Sequence, residues 1–85
     1  MITREVEVAD LFNKYDNPIA ELVHTAFNYE CSVYATSNNR KANLKSIMGI
    51  MALDWSKGQK VTVVTEGDKE EEAAEAVVTF LRCEA

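Results

Sequence analysis

Residues 45 to 51, Lys-Ser-Ile-Met-Gly-Ile-Met, constrain the fold more than any other stretch: they set a hydroxyl at the mouth of a short helix whose side chains are nearly all apolar. Ser46 suits the N-cap, its oxygen accepting from the backbone N–H of Gly49. Ile47, Met48, Ile50, Met51 and Leu53 then run almost all the way round the helix. A chain of 85 residues has too little core to hide every one of those faces. Ile50 and Leu53 are expected inside, and Ile47, Met48 and Met51 at an interface. An anion-accepting helix start beside a Met-rich apolar patch reads as a docking surface that a phosphate on Ser46 would switch. Plain capping, at about 1 kcal/mol, is the simpler role of the same serine, and the two are compatible.

The rest of the chain narrows the class. With 47% apolar residues it makes one domain over residues 1–85, without room for a deep enclosed active site, so a binding or carrier module is expected rather than an enzyme. A net charge of −5 argues against a nucleic-acid partner, which calls for a basic face. No leader pattern and no apolar run near the roughly 20 residues of a membrane span occurs, so a cytoplasmic protein is expected. Cys31 and Cys83 have no C-x-x-C spacing and read as reduced thiols. Successive residues Glu70, Glu71 and Glu72 point different ways and read as the solvated, dipole-matched start of a helix. No metal or cofactor is expected.

Periodicity orders the elements. Residues 2 to 8 alternate as a strand, with Ile2, Val6 and Val8 on one side. After a polar break at residues 13 to 17, Pro18 opens a helix in which Ile19, Leu22, Val23, Ala26 and Phe27 recur at helical spacing, and Asn17 is the N-cap. Residues 31 to 37 read as a strand, Asn38-Asn39 as a tight turn, and residues 40 to 43 as the return strand. The Ser46 helix, the Lys57-Gly58 turn and a strand at residues 61 to 65 follow. Trp55 reads as an amphipathic lid over the edge of the core. Gly67 ends the last strand, and residues 69 to 82 form a helix with Ala73, Ala76, Val77, Phe80 and Leu81 as its stripe. The expected fold class is α+β: a four-stranded, mainly antiparallel sheet covered on one face by three helices, in the order βαββαβα.

The Lys45–Met51 motif, Thr36-Ser37-Asn38, Ala42-Asn43, Lys57-Gly58, Glu66-Gly67 and the Glu-Ala-rich last helix fall in an order that resembles HPr, the histidine-containing phosphocarrier family of the bacterial sugar phosphotransferase system. The resemblance spans nearly the whole chain and implies the HPr-like open-faced β-sandwich. Lys45–Met51 is similar to the regulatory-serine motif of Gram-positive members. In that family a phosphoryl group rides on a histidine in a Gly-Leu-His-Ala-Arg-Pro segment just ahead of the first helix. Here the segment is Asn13-Lys14-Tyr15-Asp16-Asn17-Pro18, with Tyr15 at the histidine position, Asn17 at the arginine position and only the proline kept.

That departure changes the chemistry. A neutral imidazole is a good nucleophile, whereas a phenol with a pKa of about 10 needs a base to activate it, and no such base is evident nearby. Asn17 lacks the two-pronged, charge-assisted contact that arginine makes to phosphate. The Asp16 carboxylate would repel an anion from the helix start. The resemblance thus implies a phosphocarrier fold without the carrier's active residue, similar to the Crh-type HPr-like proteins of catabolite repression, whose histidine is also replaced. It further implies phosphorylation of Ser46 by the HPr kinase/phosphorylase and binding to a catabolite-control transcription regulator. The family's contact surface maps onto Ala20, His24 and Phe27, beside Ile47, Met48 and Met51.

Two other readings stand next to this one. The chain is a phosphoryl carrier in sugar uptake with a nonstandard acceptor, Tyr15 or His24, or it is an unmodified docking or decoy subunit. His24, the single histidine, lies inside the helix away from its free N–H groups and reads as a surface residue beside Phe27. Tyr15 reads as a loop aromatic that packs. Oligomeric state is not legible in these patterns.

Overall fold

In the computed structural model, which describes residues 1–84, the strands are β1 (Ile2–Glu7), β2 (Ser32–Ser37), β3 (Arg40–Asn43) and β4 (Lys60–Glu66). The helices are α1 (Leu11–Lys14), α2 (Pro18–Phe27), α3 (Ile47–Met51) and α4 (Glu70–Leu81). Strict alternation makes β4: Val61, Val63 and Thr65 point into the core, while Thr62 and Val64 point out. β4 pairs with β1 on one side and β2 on the other, β3 completes the order β1-β4-β2-β3, and every pairing is antiparallel. Asn38 and Asn39, at φ 52° and 66°, form the two-residue turn between Ser37 and its partner Arg40.

Helices cover one face only. The stripe of α4 packs on β1 and β4, and α2 lies against α4 and α3, burying Leu22 and Ala26. The other face carries Thr3, Glu5, Tyr34, Thr36 and Thr62 toward solvent, with the Lys41 ammonium 4.4 Å from the centroid of the Tyr34 ring. The expected α+β class, with its one-sided cover, holds. β1 closes at Glu7, one residue early, although Val8 is still buried.

The single turn α1 is an addition within the segment expected as loop. It forms because Leu11 is buried and because the Ala9 N–H is tied to the Leu81 carbonyl at 2.9 Å, which brings the chain back toward α4. Cys31 lies beside Gly67, ahead of α4, and Cys83 lies beyond its other end. Twelve helical residues, about 18 Å, lie between the two ends, so the two thiols do not pair with each other.

Both ends of α4 depend on unusual backbone. At its start Glu70 accepts the Gly67 N–H at 3.0 Å and the Met1 ammonium at 2.7 Å, and these bonds hold its carboxyl below the usual range. At its end Cys83 has φ 60°, its N–H donating to the Phe80 carbonyl while that of Glu84 donates to Thr79, the paired bonds of a left-handed helix stop.

Gly67 is required twice over. Its φ of 129° is open to glycine alone, and a Cβ there would stand 3.1 Å from both Cα and Cβ of Cys31. Gly67→Ala is therefore expected to cost about 1–3 kcal/mol. Urea unfolding checks this: the midpoint should fall with the slope unchanged, and an unaltered midpoint refutes the strain at this turn.

Candidate functional site

Ser46 is extended (φ −122°, ψ 121°) and its Oγ accepts the Gly49 N–H at 3.2 Å, the capping bond expected from the sequence. Gly49 lets the helix sit down on the end of β3, since a Cβ there would meet the Asn43 carbonyl oxygen at 3.2 Å and its nitrogen at 3.4 Å. Ser46 is half-buried as a result. Below it, Ile50 is the one residue of α3 that is fully buried, and Leu53 is buried just beyond.

Trp55 departs from the lid expected of it. It is buried in the core, and its Nε1–H donates to the Ile50 carbonyl at 2.7 Å, so it closes the C-terminal end of α3 from inside. With Ile50 held from two sides, Ile47, Met48 and Met51 face outward, Met48 at 85% exposure and Met51 at 69%. Ala20, His24 and Phe27 are exposed on α2, which packs against α3.

One residue of this surface escaped the sequence reading. Phe12, in α1, is 63% exposed and lines a shallow groove of about 360 Å³ with Ile19, Met51 and Trp55. Its sequence context carried no helical period, because α1 has only four residues, so nothing there tells an inward phenylalanine from an outward one.

The segment ahead of α2 is a closed structure. Tyr15 stacks on Phe80, with centroids 4.3 Å apart and planes 6° apart, and its hydroxyl donates to the Phe80 carbonyl at 3.0 Å. Burial, with smaller contributions from Cys83 and Glu21, pushes the phenol above its ordinary pKa. At neutral pH it is protonated and its hydrogen is engaged. Asn17 caps α2 as expected, Oδ1 accepting the Ala20 N–H at 3.4 Å, and the Asp16 side chain is exposed beside it. His24 lies in the last turn of α2, six residues or about 9 Å along the axis from Pro18. The fold brings no imidazole to the entrance of that helix.

Among the described residues no group of three or more His, Cys, Asp or Glu is placed to hold a metal ion. Nor is any described helix long and apolar enough to cross a membrane.

Tyr15→Phe keeps the stacked ring and loses one hydrogen bond, an expected cost of about 0.5–1.5 kcal/mol. The folded pKa of Tyr15 lies above the unfolded value of about 10, so the neutral phenol stabilises the fold below that value and the contribution is lost as pH rises through the folded pKa. Unfolding free energies of the two proteins should therefore converge at alkaline pH, and a gap that persists there assigns the difference to another cause.

Residues 2–82 match the family described as "PTS HPr component phosphorylation site". The chain is 34% identical over 84 residues to the HPr-like protein Crh of Halalkalibacterium halodurans, covering 99% of this chain and 100% of that protein. It is 33% identical to the phosphocarrier protein HPr of Lysinibacillus sphaericus, over 95% of this chain and 92% of that one. The fold overlays the crystal structure of HPr-C-His from Thermoanaerobacter tengcongensis with a TM-score of 0.86 and 37% identity, across 95% of this chain and 91% of that one. With its architecture and nearly its whole length matched in this way, the chain belongs to the HPr family, as a Crh-like member of it.

Proposed function

We propose that this protein is a regulatory binding module of the phosphotransferase system and carbon catabolite control, inactive as a histidine phosphocarrier and controlled by phosphorylation of Ser46. The observation that carries this reading is the bond from Tyr15 to the Phe80 carbonyl. At the position where the family's histidine is expected, the available hydroxyl has its proton engaged, its pKa raised by burial and a carbonyl oxygen as its nearest partner. An incoming phosphoryl group would meet that electron-rich carbonyl and the exposed Asp16, with Asn17 in place of a guanidinium.

Recognition is the work that the rest of the surface suits. Ile47, Met48 and Met51 on α3, with Ala20, His24 and Phe27 on α2, form an exposed apolar and polarisable surface next to Ser46. The Ser46 oxygen accepts its capping bond, so its own proton is not used by that bond and the hydroxyl can attack the γ-phosphorus of ATP, releasing ADP and a proton. The product carries about −1.5 to −2 charges at a helix start, where the dipole tolerates them, and it changes the rim of the patch without unfolding the domain. In this reading the protein acts in the cytoplasm, catalyses nothing itself, and has as partners the HPr kinase/phosphorylase and a catabolite-control transcription regulator.

Two labelling experiments test it. With HPr kinase and ATP, the native chain should take up phosphate and Ser46→Ala should not. With phosphoenolpyruvate and the first enzyme of the phosphotransferase chain, neither should acquire acid-labile phosphate. Acid-labile label on the native chain refutes the loss of carrier function, and failure of kinase labelling refutes control through Ser46. Ser46→Ala also removes the cap, so its stability should drop by about 1 kcal/mol.

A further inference from the structure

The two apolar rows next to Ser46 lie on elements separated in the chain by the whole β2–β3 hairpin. The two helices pack on each other, and one side chain adds a polar tie between them. Lys45 is half-buried, its N–H donates to Asn43 Oδ1 at 2.9 Å, and its ammonium donates to the backbone carbonyl of Tyr29 at 2.7 Å, across a separation of 16 residues. Tyr29 follows α2, its own N–H bonded to the Ala26 carbonyl at 3.3 Å, so the ammonium rests at the negative end of that helix. A charge-assisted bond of this length, partly sheltered from water, is among the stronger single contacts available to a surface helix. In extended backbone successive side chains leave opposite sides, so Lys45 reaches back to α2 while Ser46 addresses the first turn of α3.

We propose that Lys45 is a positioning residue: it holds the α2 row in register with the α3 row and carries a change of charge at Ser46 to the end of α2. The inference rests on the docking reading given above. Negative charge at residue 46 attracts the neighbouring ammonium, and each increment of that attraction competes with the Tyr29 carbonyl for the same donor. Phosphorylation thus has two effects, a new anion at the rim of the patch and a looser C-terminal turn of α2, where Phe27 stands.

The test uses amide chemical shifts and hydrogen exchange of the full chain. Ser46→Glu should shift the amides of residues 47–51 and also those of residues 25–30. In a Lys45→Met background the first set should persist and the second should vanish, and Lys45→Arg should restore it. Exchange at Asn28 and Tyr29 should be about tenfold faster in Lys45→Met, the loss of one charge-assisted hydrogen bond. Undiminished shifts at residues 25–30 in Lys45→Met, or unchanged protection there, overturn the proposal. If Lys45→Met does not fold, Lys45→Leu, which also lacks a donor, takes its place under the same criteria. Neither outcome depends on a kinase, so failure here leaves the Ser46 labelling result standing, and failure of that labelling leaves this coupling measurable.

Discussion

A sheet covered on one face only is the constraint on which this molecule depends. The inward residues of β4 and β2, with Val63 and Ala35 fully buried, must be roofed, and α4 does most of that work, with Leu22 and Ala26 of α2 buried beside it. What is left for α3 is the end of the β3 strand and the flank of α2, a small seat that takes one side chain, Ile50, while the indole N–H of Trp55 donates to the Ile50 backbone carbonyl. A five-residue helix with one buried side chain cannot also turn its remaining apolar side chains inward. Their exposure thus follows from the geometry of the seat, and it puts Ile47, Met48 and Met51 next to a hydroxyl that caps the same helix.

The loop ahead of α2 is closed by its own side chains. A helix start offers N–H groups to an anion, but here Pro18 has none and Asn17 satisfies that of Ala20. Tyr15 is turned toward the carbonyl end of α4, where it stacks on Phe80 and donates to its carbonyl. The sheet and helices depend on buried apolar residues, whereas this loop depends on a few local contacts, so a fold of this kind can carry different sites.

Several elements were legible in the sequence because a local rule determined each one. Asn38-Asn39 tolerates positive φ at two successive residues, Asn17 stands before a proline, and Ser46 lies three residues ahead of Gly49, so the hairpin, the α2 cap and the α3 cap follow from neighbours in the chain. What was not legible came from distant contacts. Four residues are too few for α1 to show a period, and its formation rests on Leu81, far along the chain. Trp55 lies outside any repeat, so its inward direction is decided by the Ile50 carbonyl. Cys83 occupies a left-handed position that commonly marks itself with glycine. The reach of Lys45 to Tyr29 has no local signature at all.

The sheet ends in two open edges, β1 and β3. Open edges and an exposed apolar patch on one small molecule are together a hazard of uncontrolled polymerisation. β1 sets Arg4, Glu5 and Glu7 along its length, and β3 is four residues long and begins with Arg40 and Lys41, so growth by strand addition is opposed at both ends. The exposed apolar side chains Phe12, Phe27, Ile47, Met48 and Met51 thereby lie on the helices, away from the strand edges.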